Sequence, residues 1–126
     1  MNMIFGHGID IIEISRIKKA IEKSERFQTK LFSQNEIAYC ESKANKYQSY
    51  AARFATKEAF FKAIGTGWAN GIQWTDIEVL NNESGKPILC LHNKALVFIN
   101  ENNINNLHVS ISHLKDIAIA SVILEK

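Results

Sequence analysis

The stretch RFATKEAFFKAIGTG, residues 53–67, is the most informative part of the chain, because it indicates a long helix with almost no solvated side. Alanine recurs at helical spacing from residue 48 to 64, glycine and proline are absent there, and Gly65 is placed to end the helix. A charged side chain on a buried helix needs a partner or a function. This segment nevertheless carries Arg53, Lys57, Glu58 and Lys62.

A helical wheel places Glu58 in line with the aromatic residues Phe54 and Phe61, with Lys62 one turn further along. A carboxylate in that position loses hydration unless a cation, hydrogen bonds or a metal compensates it. An ordinary ion pair with Lys62 is the simpler explanation on periodicity alone. Asp10 argues against it, because Asp is rare in apolar strands such as IFGHGIDIIEI. Asp10 itself could be a structural ion-pair partner or a strand-end cap.

Two such carboxylates are the ligands expected of a Mg²⁺ ion that is shared with substrate phosphates. Asp10 and Glu58 are therefore the candidate metal ligands. The charge on phosphate groups would be balanced by the nearby cations Arg53, Lys57 and Lys62. The sequence contains no GxSxG nucleophile elbow and no Walker-type phosphate loop.

The composition excludes several classes of protein. A chain of 126 residues with 46% hydrophobic and 22% charged residues is typical of one globular domain, which we place at 1–126. A net charge of +2 is small for a dedicated nucleic-acid module. There is no secretory or membrane-length segment, and Cys40 and Cys90 match no metal or disulfide motif. We expect a cytoplasmic protein with ordinary thiols and no membrane partner.

The rest of the chain mixes strands and helices without a βαβ rhythm, which favours the α+β class. Residues 3–14 predict a strand, followed by a helix that Ser15 would cap, and Ser33 with Glu36 matches a capping box. TDIEVL and ILCLH flank the turn NNESGKP, KALVFINEN predicts a helix, and LHVSISH pairs with IAIASVIL. His113 ends its strand and is a candidate ligand contact, although such a histidine is more often structural.

The first predicted helix carries a row of basic residues at steps of three and four. Such a row is usually a solvated face. An acidic protein or a nucleic acid would complement it. The basic row consists of Arg16, Lys19, Lys23, Arg26 and Lys30.

Four blocks, GIDIIEISRI, RFATKEAFFKAIGTG, SGKPI and HVSISH, together resemble the holo-acyl-carrier-protein synthases, the small 4′-phosphopantetheinyl transferases, along the whole chain. The resemblance implies that family's α+β fold, a mostly antiparallel sheet packed with a long central helix, with the active site at a subunit interface of a homotrimer. It implies Mg²⁺-dependent transfer of the 4′-phosphopantetheine arm of coenzyme A to a serine of apo acyl carrier protein, as used in fatty acid biosynthesis.

The resemblance also implies roles for individual residues. It puts the metal ligands at Asp10 and Glu58, and catalytic roles at Glu58 and Lys62. Whether Glu58 accepts the serine proton directly or through water stays open. Coenzyme A contacts are implied at Arg53, Lys62, Gly67, Pro87 and His113. Docking of the carrier protein is implied at Arg16, Lys19, Lys23 and Arg26.

One residue departs from the family pattern, and two other functions remain open. His7 stands between two glycines where the family more often has a small or apolar residue, so it would alter the surroundings of the metal or do nothing. A metal-dependent phosphoesterase would use the same carboxylates but hydrolyse coenzyme A without a carrier protein. A non-enzymatic module would bind nucleic acid through the basic row.

Overall fold

The computed structural model describes residues 2–66 and 71–126, which form two antiparallel sheets beside one long helix. The larger sheet has the strand order β1–β5–β4, with β1 at Ile4–Glu13, β4 at Asn106–His113 and β5 at Ile117–Glu125. The smaller sheet is a hairpin of β2 (Ile77–Asn81) and β3 (Pro87–Leu91). The α+β class is confirmed. Within the described ranges, no helix is long and apolar enough to cross a membrane.

The helices follow the predicted order, with one correction near the start of the chain. They are α1 (Ile14–Lys23), α2 (Glu25–Leu31), α3 (Gln34–Glu41), α4 (Lys46–Ile64) and α5 (Asn93–Glu101). The prediction of one helix capped by Ser15 is wrong. The backbone is extended at Ser24, where φ is −150° and ψ is 115°, and the Ser24 hydroxyl accepts the N–H of Phe27 as the cap of α2.

Helix α4 lies directly against the backbone of β1, and two glycines permit this close approach. A Cβ atom at Gly6 would collide with the carbonyl oxygen of Ala63, and one at Gly8 with that of Ala59. The two elements therefore touch backbone to backbone. This contact fixes the position of β1 relative to α4, and with it the position of each β1 side chain, including that of Asp10.

Several predicted local signals are present in the structure, at the end of α4, at the start of α3 and in the hairpins. Helix α4 ends at Gly65, which adopts the left-handed φ of 77° that favours glycine. Helix α3 begins with the predicted capping box, because the hydroxyl of Ser33 accepts the N–H of Glu36 while the Glu36 carboxylate accepts the N–H of Ser33. The two predicted hairpins, β2–β3 and β4–β5, are also present.

Candidate active site

Asp10, Glu58 and Lys62 form an acidic cluster where β1 meets α4. Asp10 pairs with Ala120 on β5 and shares the α4-facing side of β1 with Gly6 and Gly8. The Lys62 ammonium donates to Asp10 Oδ1 at 3.1 Å and to the carbonyl oxygen of Ile9 at 2.9 Å. Within α4, all of whose residues are described, Lys62 is the one exposed side chain.

Glu58 adds a second carboxylate to this cluster. Burial raises the pKa of the Glu58 carboxyl, the negative charge of Asp10 raises it further, and Lys62 opposes both effects. The cluster thus holds two acids and one cation, which leaves it short of positive charge. A pair of carboxylates with room for water and phosphate oxygens is the donor set that suits Mg²⁺, so the residues fit that ion.

The expectation that Lys57 would help to balance phosphate charge is wrong. Its ammonium donates to Glu36 Oε1 at 2.7 Å and to the carbonyl oxygen of Trp74 at 3.0 Å, and both charged side chains are fully buried. Burial lowers the pKa of Lys57. Lys57 therefore ties α4 to α3 and to the segment before β2, away from the acidic cluster.

A cleft of about 240 Å³ lies on the other flank of α4. It brings together Arg53, Pro87 and His113, three residues that are predicted from the sequence to contact the ligand. The residues that line it with them include Tyr39, Gln48, Asn81, Gly85 and Ile111. This cleft is the best candidate for a site that binds an extended phosphorylated ligand.

Arg53 is the strongest anion-binding group in the cleft. It is only 5% exposed, its guanidinium lies 4.2 Å from the ring centre of Tyr39, and Nη2 donates to Asn81 Oδ1 at 2.9 Å. Its Nε is buried and has no hydrogen-bond partner among the described residues. A guanidinium N–H without an acceptor is costly, so Arg53 has unused hydrogen-bonding capacity at the wall of the cleft.

His113 also lines the cleft and is oriented by a hydrogen bond with Gln48. The Gln48 side-chain nitrogen lies 3.0 Å from His113 Nδ1. When the amide donates to Nδ1, the proton of the neutral ring is on Nε2, which can then donate to a ligand. Orientation by Gln48 was not predicted, and its only sequence signal is a polar residue one helical turn before Ala52.

The acidic cluster and the cleft face away from each other within one chain. Arg53 and Lys62 are nine residues apart, which at about 100° per residue places their side chains on opposite sides of α4. In the larger sheet, Asp10 is on the edge strand β1, whereas His113 is on the other edge strand, β4. Within one chain, the acidic cluster and the cleft are therefore spatially separate.

The remaining predicted residues have different positions. Gly67 lies outside the described residues. His7 lies on the face of the sheet opposite to Asp10, where its Nε2 is 3.1 Å from the Ser121 hydroxyl oxygen, so it does not contact the acidic cluster. The four predicted docking residues are exposed but belong to two helices, since α1 carries Arg16, Lys19 and Lys23 and α2 carries Arg26.

Comparison with known proteins identifies the class. Residues 6–121 match the 4′-phosphopantetheinyl transferase superfamily. The holo-[acyl-carrier-protein] synthase of Solibacter usitatus is 47% identical over 98% of this chain and 99% of its own length. The synthase of Neisseria meningitidis has a similar structure, with a TM-score of 0.91, 30% identity, and coverage of 98% of this chain and 100% of that chain. The Bacillus anthracis synthase in complex with CoA (3′,5′-ADP) gives a TM-score of 0.81, with 39% identity and 98% coverage of both chains.

The chain therefore belongs to the 4′-phosphopantetheinyl transferase superfamily. The relatives just described are all named holo-[acyl-carrier-protein] synthases. The resemblance, the fold and the transferase class predicted from the sequence are confirmed.

Proposed function

We propose that the protein transfers the 4′-phosphopantetheine arm of coenzyme A to a serine hydroxyl of an apo acyl carrier protein. A bond forms between the serine oxygen and the phosphorus that bears the pantetheine arm. The bond from that phosphorus to the leaving adenosine 3′,5′-bisphosphate breaks, and a base takes the serine proton. The observation that carries the proposal is the guanidinium of Arg53 at the wall of the cleft, whose Nε has no hydrogen-bond partner among the described residues.

The cleft suits the nucleotide end of coenzyme A. Arg53 offers a guanidinium fork to phosphate oxygens, and its stacking on Tyr39 keeps that fork in place. His113 supplies a second donor through Nε2. The β2–β3 turn, represented by Gly85 and Pro87, forms a backbone wall against which an adenosine would lie.

Asp10 and Glu58 would hold Mg²⁺ in the acidic cluster. When bound there, the ion would neutralise charge that develops on the phosphoryl oxygens. Lys62 already places its ammonium beside Asp10 and is exposed enough to reach a phosphate. Glu58 would accept the serine proton, directly or through a water molecule.

The separation of the acidic cluster and the cleft supports a homotrimer whose active sites lie between subunits. The described residues leave the β1 edge of the larger sheet exposed on the face away from α4, where Ile9 and Ile11 are 52% and 58% exposed. A second copy that covers this face would hide apolar surface and could bring its cleft to the acidic cluster. Light scattering should give the mass of three chains. Ile11→Asp should lower that mass and the turnover together, whereas a parent protein that is monomeric and active would contradict the assembly.

Transfer can be tested by incubating the protein with Mg²⁺, coenzyme A and an apo acyl carrier protein. We expect carrier that is heavier by one phosphopantetheine arm, and no product when EDTA removes the ion. Loss of coenzyme A without a carrier would instead indicate a phosphoesterase. Salt-sensitive binding of DNA or RNA, with no transfer, would indicate the nucleic-acid module.

The role of Arg53 can be tested separately from that of the acidic cluster. A charge-assisted hydrogen bond contributes about 1.5–3 kcal/mol, so Arg53→Lys should raise KM for coenzyme A about 10- to 100-fold. KM for the carrier protein should change little. Thermal unfolding of the same variant provides the folding control, since Arg53 is buried.

A further inference from the structure

The β2–β3 hairpin gathers three metal-ligand side chains away from the acidic cluster and the cleft. Glu78 on β2 lies directly opposite Cys90 on β3. His92 follows two residues later and extends the pairing, because its N–H donates to the carbonyl oxygen of Asp76 at 2.8 Å. Opposite residues share a face of a sheet, and so do residues two apart, so all three side chains are on one side.

The three donor atoms are already close together. One ligand atom from each of Glu78, Cys90 and His92 lies within 4.8 Å of the other two. His92 Nε2 is 3.1 Å from Glu78 Oε1. A tetrahedral zinc ion with bonds of about 2.0–2.3 Å separates its ligands by roughly 3.3–3.8 Å. Small rotations of the side chains would therefore bring the donors into range.

The hairpin also orients these donors. Glu78 is 5% exposed, and its Oε2 accepts a hydrogen bond from the Ser33 hydroxyl at 2.6 Å. This hydrogen bond holds the carboxylate in position. The His92 side chain is 45% exposed, and Cys90 is half-buried and forms no disulfide. The group thus has a fixed carboxylate at its base and an open side toward solvent.

An ordinary hydrogen bond would explain the contact between Glu78 and His92. It does not require a thiol beside them, and it leaves the half-buried Cys90 without a role. This group could not be predicted from the sequence, because the ligands come from the two strands of the hairpin and follow no CxxC or HxxxH spacing.

We propose that Glu78, Cys90 and His92 bind a zinc-class transition-metal ion, with water as the fourth ligand. A thiolate and an imidazole favour Zn²⁺ or Co²⁺ over the hard ions Mg²⁺ and Ca²⁺. On binding, the metal displaces the thiol proton of Cys90 to solvent. The proton of the neutral His92 ring moves from Nε2, where it is shared with Glu78, to Nδ1, so that Nε2 can bind the metal. The thiolate and the carboxylate together balance the charge of the ion.

Occupancy of this hairpin metal site would brace one wall of the cleft. The hairpin carries Asn81, which accepts from Arg53, and the turn residues Gly85 and Pro87. The metal would cross-link β2 to the end of β3 and resist separation of the strands. The site is independent of the transferase reaction, because none of its three ligands belongs to the acidic cluster or lines the cleft.

Titration of the purified, reduced full chain with Co²⁺ tests the site. We expect a single equivalent to give the near-ultraviolet band of a cobalt–thiolate bond, to be displaced by Zn²⁺, and to resist excess Mg²⁺. Metal bound between Asp10 and Glu58 cannot give this band, because no thiol is a proposed ligand there. Zn²⁺ should also raise the thermal unfolding temperature of the parent chain.

Matched variants decide whether the named residues form the site. Cys90→Ser should remove the cobalt–thiolate band, and His92→Gln should weaken Co²⁺ binding at least about tenfold, both with unchanged circular dichroism. Cys40→Ser is the control for a second thiol, and His108→Gln is the control for an exposed histidine, since His108 also faces a carboxylate, Glu125, at 3.2 Å. Both controls should bind Co²⁺ like the parent. Absence of the band from the parent, or its persistence in Cys90→Ser, would overturn the proposal.

Discussion

Helix α4 carries two lysine–carboxylate pairs that differ in almost everything except their chemistry. The Lys57–Glu36 pair has an N–O distance of 2.7 Å, and both side chains are 0% exposed. In the Lys62–Asp10 pair the distance is 3.1 Å, and the side chains are 53% and 15% exposed. The first pair is sealed inside the protein, whereas the second is open to solvent and to ligands.

The hydrogen-bond partners explain the difference. Glu36 also accepts the backbone N–H groups of Ser33 and Val79, and Lys57 also donates to the carbonyl oxygen of Trp74. Every strong interaction of that pair is internal, so it holds elements together. The open pair has a third charged neighbour, Glu58, whose carboxylate has the same charge as that of Asp10. Two negative groups therefore share the single positive charge of Lys62. An ion pair on a central helix is thus structural when all its hydrogen-bond and charge partners lie inside the protein. When some of those partners are lacking, the pair is available for catalysis.

Breaking the sealed pair should give the largest effect on stability. Lys57→Met leaves the buried Glu36 charge without a counter-ion, which should lower the free energy of unfolding by about 3–5 kcal/mol. Urea denaturation measures the loss. Lys62→Met makes the same chemical change in the open pair and is the matched control. Equal losses in the two variants would contradict the distinction between the pairs.

Removing a carboxylate from the acidic cluster should impair catalysis without harming the fold. Asp10→Asn keeps the size of the side chain but removes a metal ligand, so we expect kcat to fall about 100- to 1,000-fold. The mass-shift assay measures turnover, and thermal unfolding verifies the fold. Glu101→Gln removes an exposed carboxylate from α5 and should leave turnover unchanged. Full activity of Asp10→Asn would refute the assignment.

Lys62→Met should affect turnover more than stability. Loss of one charge-assisted contact to phosphate should lower kcat about 10- to 100-fold. The free energy of unfolding should change by less than about 1 kcal/mol, because the Lys62 side chain is 53% exposed. Lys62→Arg, which keeps the charge, should recover part of the rate. A variant with normal kcat would remove Lys62 from the mechanism.

The smallest expected effect is a gain in stability from Glu58→Gln. The folded state raises the pKa of Glu58, so the stabilising contribution of this group is present below its unfolded pKa and is lost as pH rises through the folded pKa. At neutral pH without divalent ions, the variant should therefore unfold about 1–2 °C higher than the parent, a small shift because solvent screens the half-buried carboxylate. At acid pH the two curves should coincide. A variant that is less stable at neutral pH would reverse the sign.

Much of the fold could be predicted because its signals are local. The helical periodicity and Gly65 predicted α4 and its end, the Ser33 and Glu36 pattern predicted α3, and the turn NNESGKP predicted a hairpin. The break at Ser24 was missed, because a serine inside a periodic segment is compatible with a continuous helix as well as with a new cap.

The candidate site was predictable only in part. Asp10 and Glu58 stood out because each is a carboxylate in apolar surroundings, and the structure brings both to the contact between β1 and α4. The stacking of Tyr39 on Arg53 had no signal, since it depends on how α3 packs against α4. The Glu78, Cys90 and His92 group was equally hidden, because it depends on strand register.

Most of the helices, the hairpins, the odd carboxylates and the resemblance to a transferase family could be identified from the amino-acid sequence. Each of these depends on neighbours within a few residues or on short blocks in order. The packing of distant segments was needed to show that Lys57 is sealed against Glu36, that the cleft and the acidic cluster lie on opposite flanks of α4, and that three metal-ligand side chains meet on the hairpin. The physical reason is that the burial and partners of a charge are set by residues far away in the chain, which periodicity cannot reveal.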